Sequence, residues 1–251
     1  MSLPVITDPW FYAVAIPSVL LMSVSKSGFG AGFGSLAVPL MAMVTTVPQA
    51  AAVLMPVLLL MDLIGLAAFR SEADWKLLRF LLPWALVGVL IGTLSFGLLD
   101  AKLISGLVGI FTLLFLLQRQ LFPPSASSPP FPRWVGSIMV MLSGFTSFVA
   151  HAGGPALAAY VLPMRLRPMA FTGTLAIFFL VVNQAKWIPY AWLGLLDLRN
   201  MLTSLLLLPI VPVGMWFGIR IARRIDPVLF YRLIQVGMLL TGVKLVWDGF
   251  R

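Results

Sequence analysis

Residues 26–35 read KSGFGAGFGS and lie in one of the most apolar parts of the chain. The stretch opens with a lysine and then places a glycine at every second position from Gly28 to Gly34. A cation is costly inside a membrane, and glycine weakens a helix. Glycines two apart do not share one helix face, so the spacing does not suit GxxxG packing. It predicts unwound backbone that lines a polar space.

The composition indicates an integral membrane protein. Of the 251 residues, 61% are hydrophobic and 10% are charged, with a mean hydropathy of +1.04. Apolar segments of roughly 20 residues are long enough to cross a ~30 Å hydrocarbon core as helices. They lack the alternation of a barrel strand. The sequence therefore predicts an all-α polytopic fold, and the lack of cysteine excludes disulfides and thiolate chemistry.

The net charge of +9 comes from 17 Lys and Arg spread over short loops, with no basic domain. This distribution indicates membrane topology and not nucleic-acid binding. The N-terminus carries no positively charged leader region, so the first apolar segment is predicted to be a retained helix.

Apolar runs between Pro, Gly and charge clusters predict ten helical segments in two groups of five. A Pro/Ser-rich linker at residues 122–132 separates a first repeat, residues 1–121, from a second repeat, residues 133–251. The predicted segments are 10–26, 32–47, 49–69, 78–98, 102–119, 133–150, 154–164, 169–190, 199–220 and 228–248.

The two halves resemble each other in sequence. LPWALVGVLIG from Leu82 matches LPIVPVGMWFG from Leu208, and an aspartate follows each match at the same distance. GFGSLAVPLM from residue 32 aligns with GGPALAAYVLPM from residue 153, and the same offset places Asp62 against Asn183. Several matches in one order predict an internal duplication.

Loop charges predict how the halves lie in the membrane. Eleven of the 17 cations fall on one side, which the positive-inside rule assigns to the cytoplasm, with both termini outside. An odd number of crossings per half makes the repeats inverted, as in many secondary transporters. The charges fit ten full crossings and equally fit eight or fewer with re-entrant hairpins. The cytoplasmic set is Arg70, Lys76, Arg79, Arg119, Arg133, Arg165, Arg167, Arg220, Arg223, Arg224 and Arg232, and the outer set is Lys102, Lys186, Arg199, Lys244 and Arg251.

The second half has its own break at TSFVAHAGGPALAAY, where Pro155 suits the first turn of a new helix. Helices that resume after the two breaks, near Gly34 and Gly154, are expected to point free N–H groups and positive dipole ends at one space. That arrangement predicts an anion site.

Ionisable side chains in apolar segments are the other site candidates. Lys26 is either a counter-charge for substrate or a snorkelling side chain, and Asp62 is either its structural partner or a proton-coupling group. His151 is a packed core imidazole, a substrate contact or a proton relay. Lys186, beside Trp187, is predicted to be an interfacial anchor.

The chain resembles the TauE/SafE family of membrane permeases, also called sulfite exporters. The motifs that carry the resemblance are SKSGFGAGFGSLAVPLMAM, PVLLLMD, GFTSFVAHAGGPALAAYVLP, FTGTLAIFFLVVNQAKWIPY and the paired LP…G…G segments. It implies an inverted-repeat transporter, often an exporter, of sulfite, sulfoacetate or related sulfonates in a bacterial inner membrane. The implied substrate-binding residues are Lys26, Ser27, Gly28, Gly30, Gly32, Gly34, Thr146, Ser147, His151, Gly153, Gly154 and Asn183, with Asp62 and His151 as coupling candidates.

Two other functions compete with a transporter. An anion channel would also use a glycine-lined, cation-bearing pore. A membrane enzyme acting on a lipid phosphate would need carboxylate clusters or several Arg with His, whereas the chain has one His and eight acids, and no catalytic or nucleotide motif. No enzyme activity, metal or cofactor is predicted. The expected partners are a small anion, the bilayer, protons as a coupling ion and a second copy of the chain.

Overall fold

The computed structural model describes residues 5–29, 33–96, 98, 100–121 and 131–250, and every regular element in these residues is a helix. Gly30, Gly32 and residues 122–130 of the predicted linker lie outside the described residues. The helices are α1 (Pro9–Gly28), α2 (Ala37–Met41), α3 (Val47–Phe69), α4 (Trp75–Leu94), α5 (Ala101–Leu121), α6 (Arg133–Ala150), α7 (Gly154–Val161), α8 (Pro168–Trp192), α9 (Leu198–Leu207), α10 (Ile210–Ala222) and α11 (Pro227–Gly249).

Most of the predicted segments match a helix, but two of them are short. The segment predicted at 32–47 contains a 3₁₀ turn, Phe33–Leu36, and the five-residue α2. The segment at 154–164 contains the eight-residue α7 and a 3₁₀ turn. At 1.5 Å per residue neither can cross a ~30 Å core, which excludes ten full crossings. Among the described residues, six helices have the length and hydropathy of a membrane span, and there are up to seven spans if α9 and α10 form one bent span.

The prediction of one continuous segment at 199–220 is wrong. Helices α9 and α10 meet at a bend of 51°. Pro209 lies at the break and Pro212 follows within α10. Because a proline removes an amide donor and clashes with the preceding turn, two prolines three residues apart break this helix. The matching segment α4 has the single Pro83 and stays continuous.

Acidic and hydroxyl side chains define where many helices begin. Asp8, Thr46, Asp74, Asp197 and Asp226 each accept a hydrogen bond from a backbone N–H in the first turn of the helix that follows. Each satisfies one of the N–H groups that a helix start leaves unpaired. Asp100 accepts from the Lys102 N–H at 2.8 Å in the same way. The two aspartates that follow the LP…G…G matches, Asp100 and Asp226, are therefore helix caps.

Glycines allow two pairs of helices to touch along their backbones. In α4 and α6, a Cβ on Gly88 would lie 2.0 Å from the Met141 carbonyl oxygen, and a Cβ on Gly144 would lie 2.0 Å from the Ala85 oxygen. In α1 and α10, a Cβ on Gly28 would lie 3.2 Å from the Gly218 Cα. Small residues at such crossings are typical of membrane helices.

The interpretation of the whole glycine stretch as unwound backbone is therefore wrong at Gly28. This residue belongs to the last turn of α1 and packs against α10. Helix α1 ends at Gly28, two residues beyond the predicted end of the segment 10–26.

The remaining packing places α3 and α8 at the centre. They pack against each other, α5 packs against α11, and two large apolar clusters surround the central pair. The outer faces of α4, α10 and α11 expose large apolar side chains such as Leu90, Trp216 and Leu240, which suits contact with lipid. The buried ionisable side chains Lys26, Asp62, His151 and Lys186 lie where α1, α3, α8 and the break between α6 and α7 meet.

Candidate functional site

A buried ion pair joins the first helix to the third. Lys26, in the last turn of α1, contacts the Asp62 carboxylate from α3, and the exposed fractions of the two residues are 9% and 1%. Asn183 of α8 donates from Nδ2 to the other carboxylate oxygen at 2.8 Å. Asp62 therefore has a charged partner on one oxygen and a hydrogen bond on the other, which a buried carboxylate requires.

This geometry excludes one of the two readings of Lys26, the snorkelling side chain. A snorkelling side chain would reach a membrane face, whereas Lys26 is buried and paired with Asp62. The structural partnership of Lys26 and Asp62 is thus present in the fold.

His151 lies at the break between α6 and α7. It caps α6 in the left-handed conformation, with φ of 50°, and its N–H donates to the Ser147 carbonyl. This backbone turn directs the ring to α3, where Nε2 lies 3.0 Å from the Ala51 carbonyl oxygen. Because a carbonyl only accepts, the Nε2 atom carries a hydrogen. The other nitrogen, Nδ1, faces α8.

Lys186 of α8 is the partner that Nδ1 faces, at 2.8 Å from Nζ. The same ammonium lies 3.0 Å from the Ser147 carbonyl oxygen and 3.1 Å from Ser147 Oγ. Lys186 has no exposed surface, so its prediction as an interfacial anchor is wrong. The predicted segment 169–190 matches α8, so the error did not come from its boundaries: Lys186 lies on a face of α8 that packs inward, which the sequence of one segment does not show.

The side chains of α8 also complete the C-terminus of α6. The last carbonyls of a helix lack partners within the helix. Lys186 donates to the Ser147 carbonyl, and the Tyr190 hydroxyl donates to the Phe148 carbonyl at 2.6 Å. A cation at this end also interacts favourably with the helix dipole.

Tyr190→Phe tests that role. Loss of the hydroxyl leaves the buried Phe148 carbonyl without its donor and is expected to cost about 1–2 kcal/mol. The midpoint of reversible unfolding in SDS measures the change. Tyr231→Phe cannot serve as the control, because the Tyr231 hydroxyl also donates to a backbone carbonyl. Phe179→Leu, in the same helix as Tyr190, shows how far a change in packing alone moves the midpoint. An unchanged midpoint in Tyr190→Phe would contradict the capping role.

A small cavity of about 50 Å³ lies beside these groups. Polar atoms reach it from α1, the α6–α7 break and α8, and apolar side chains close the rest of its wall. Its lining residues are Met22, Ser25, Lys26, Gly34, Ser35, Leu58, Ser147, His151, Gly154, Phe179 and Asn183.

The predicted site residues fall into three groups. Lys26, Gly34, Ser147, His151, Gly154 and Asn183 line the cavity, and Asp62 contacts two of them. Four predicted residues do not line the cavity. Two lie in α1: the Ser27 hydroxyl donates to a carbonyl of the same helix, and Gly28 packs on α10. The other two are Thr146, whose hydroxyl donates to the Leu142 carbonyl, and Gly153, whose carbonyl accepts from the Ser143 hydroxyl. Gly30 and Gly32 lie outside the described residues.

One predicted anion donor is already occupied. The Gly34 N–H donates to Ser25 Oγ at 2.9 Å, so it is not free as expected. The helix that resumes there is only five residues long. The charged and polar side chains of the cavity therefore contribute more to its polar character than the N-terminus of α2 does.

Sequence reasoning missed several residues of the site. Ser25, Ser35, Leu58 and Phe179 line the cavity, and Lys186 lies directly behind it. The 121-residue offset between the two halves could have indicated two of them. Leu58 and Phe179 are separated by this offset, as are Asp62 and Asn183. Lys26 and Ser147 are separated by this offset as well.

Apolar outer faces, spans of about 20 residues and a polar, ion-paired centre together define a multi-pass helical membrane protein with an internal polar site. The family model described as Sulfite exporter TauE/SafE matches residues 15–245, and the chain therefore belongs to this family of membrane transporters. No curated protein and no solved structure matches the chain significantly.

Proposed function

We propose that the protein is a secondary transporter that exports small sulfur-containing or organic anions, such as sulfite, sulfoacetate or a related sulfonate, across a bacterial inner membrane. The observation that carries the proposal is the buried cavity that Lys26, Ser147, His151 and Asn183 line together. Ammonium, hydroxyl, imidazole and amide groups are suitable donors for the oxygens of a sulfonate. No carboxylate lines this cavity among the described residues.

Transport by alternating access requires two parts that move against each other. We take these parts to be residues 1–121 and 133–251, related as inverted repeats. The packing supports the repeat relation, because α1 contacts α10 while their counterparts α6 and α4 contact each other. The hydrogen bond between Asp62 and Asn183, which the duplication offset relates, also fits an axis that passes between α3 and α8.

The exit route is proposed on the side of Lys102 and Asp248. A second cavity of about 530 Å³ has these two residues in its wall and extends to Ala150, the neighbour of His151. Loop charges assign this side and both termini to the periplasm. A route that ends next to the site suits release of an anion toward that side.

Protons are the proposed coupling ion. Asp62 and His151 are buried titratable groups at the site, so one of them can change its protonation with transport. In proteoliposomes, collapse of the pH gradient at fixed voltage is expected to abolish concentrative uptake. Uptake that continues unchanged would contradict proton coupling.

Thermal stabilisation of the purified protein tests anion binding. A ligand that binds only the folded state raises its stability by RT ln(1 + [L]/Kd), or about 2.7 kcal/mol at 100 Kd. Sulfite or an anionic sulfonate such as sulfoacetate is expected to raise the melting temperature. Taurine, a sulfonate whose ammonium group leaves it without net charge, and simple carboxylates are expected to do so less. The exposed Lys76→Met variant, measured with the same anions, is the control for loss of a lysine charge at the surface.

An anion channel makes a different prediction from the same preparation. Transporters saturate and show accelerated exchange when substrate is present on both sides, whereas a channel conducts without such acceleration. Flux that rises linearly with concentration and shows no exchange would contradict alternating access. No stabilisation by any anion of the panel would contradict the anion site itself.

A further inference from the structure

We propose that the hydrogen-bonded pair Lys186–His151 supplies the one uncompensated positive charge of the site, which therefore takes a monovalent oxyanion alone and a divalent oxyanion only together with a proton. This inference rests on the proposed function, because it assumes that the anion binds in the cavity between Lys26 and His151. It assigns a role to Lys186, which lies behind the cavity wall and not in it.

The first step concerns Lys26, whose charge is already balanced. Its ammonium contacts the Asp62 carboxylate, and the pair is buried. The two formal charges of the pair sum to zero, so the pair contributes no net charge to the site. Lys26 can still donate a hydrogen bond to an anion, but it does not supply the balancing charge.

The second step concerns Lys186, whose acceptors are all neutral. Its three polar neighbours are the Ser147 carbonyl oxygen, Ser147 Oγ and His151 Nδ1. The ion pairs found among the described residues are Lys26–Asp62 and Lys244–Asp248, so Lys186 has no carboxylate in contact there. Its charge is unbalanced at full burial, which is costly unless another anion compensates it.

The third step is that, in the protonated pair that we propose, Lys186 and His151 share one charge whichever of them holds the proton. His151 Nε2 carries a hydrogen because it faces the Ala51 carbonyl. If Lys186 is an ammonium, it donates to Nδ1; if His151 is an imidazolium, Nδ1 donates to a neutral amine. Both forms keep every contact and carry one positive charge. A second proton would place two cations 2.8 Å apart.

The neighbourhood adds few other titratable groups. Lys26 faces the pair from α1, Asp62 faces it from α3, and Tyr190 of α8 stacks on the His151 ring with 6.2 Å between ring centres. The Tyr190 hydroxyl donates to a carbonyl and is neutral. Together with the balanced Lys26–Asp62 pair, the site has a net formal charge of one.

Charge balance then sets the class of substrate. A monovalent sulfonate neutralises the site without any change in protonation. A divalent anion leaves an excess negative charge in a buried space, which favours a second proton on the pair, and His151 is the member that lines the cavity. Proton uptake with a divalent substrate couples its movement to protons.

Two nearly isosteric anions test the inference. Ethanesulfonate has one charge, and sulfoacetate has a second charge on a carboxylate that replaces the methyl group. Titration calorimetry of the purified protein at neutral pH, in bis-Tris and in Tris, counts the protons taken up per bound anion. We expect about none for ethanesulfonate and about one for sulfoacetate. Equal counts for the two anions would overturn the inference.

Variants locate the charge. Lys186→Met is expected to weaken ethanesulfonate binding at least about 30-fold, since it removes the buried charge that balances the anion from behind the cavity wall. Lys186→Arg keeps the charge and is expected to recover most of this loss. The double variant Lys26→Met/Asp62→Asn removes no net charge, so it is expected to keep the difference in proton count between the two anions. The surface control Lys76→Met should leave the affinity for ethanesulfonate unchanged.

The outcomes separate the two proposals. If wild type binds no anion, the proposed function fails and this inference fails with it. Only this inference is overturned if wild type binds anions and Lys186→Met binds them equally well. The same holds if the double variant Lys26→Met/Asp62→Asn is the variant that loses the difference in proton count. Unfolding midpoints without ligand show which variants fold. If Lys186→Met does not fold, the proton counts of wild type for the two anions still decide the test.

Discussion

Lys26→Met is expected to lower the free energy of unfolding by about 3–5 kcal/mol, because it leaves the buried Asp62 carboxylate without its cation. Asp62→Asn should be similarly harmful, since it leaves the buried Lys26 ammonium without its counter-charge. SDS-induced unfolding of each variant measures the loss.

The double variant Lys26→Met/Asp62→Asn distinguishes the pair from its members. Because it removes both charges together, it is expected to recover most of the stability that either single substitution loses. The exposed Lys76→Met serves as the control for loss of a lysine and should change stability by less than about 0.5 kcal/mol. If the two single losses simply add in the double variant, the residues are not coupled and the pair has no structural role.

Gly144→Ala is expected to destabilise the protein by about 3 kcal/mol or more. The new methyl group would lie 2.0 Å from the Ala85 carbonyl oxygen and 2.8 Å from its carbonyl carbon, both backbone atoms of α4. Backbone cannot rotate away as a flexible side chain can, so α4 and α6 would have to separate and lose their contact. The SDS unfolding midpoint and the amount of monodisperse protein both report this.

Gly65→Ala provides the matched control. Gly65 is also buried in a helix, but a Cβ there would meet its nearest atom, the Ala176 Cβ, at 3.6 Å, an ordinary contact. Alanine should be neutral or stabilising at this position by up to about 1 kcal/mol, because it favours the helix. Equal destabilisation by the two substitutions would show that the α4–α6 contact is not the cause.

Composition and short patterns predicted much of the architecture. Hydropathy identified the membrane class, and the breaks at Gly34 and Gly154 marked where the chain turns within the helical bundle. The Asp62–Asn183 match was found by aligning the two halves, and these side chains form a hydrogen bond. Such features are legible in sequence because burial in lipid and helix breaking act on each segment locally.

Pattern reading was weaker for the site itself. The glycine at position 28 was interpreted by its spacing to other glycines in the same segment, whereas its surroundings are set by Gly218 of another helix. Thr146 has the chemistry of a ligand contact, but its hydroxyl bonds a carbonyl of its own helix. Neither outcome is visible in a segment considered alone, because each depends on which face of a helix meets which neighbour.

Lys186 illustrates the difference most clearly. Its residue type and its place in an apolar segment are properties of the sequence, and so are the class of the protein, its helical segments and the repeated motifs that relate its halves. Its burial, its contact with His151 and the balance of Lys26 by Asp62 depend on how α1, α3, α6 and α8 pack. Apolar segment length and helix breakers act over a few neighbouring residues, whereas the charge of a buried site is a sum over residues that lie far apart in the chain, and only the tertiary packing brings them together.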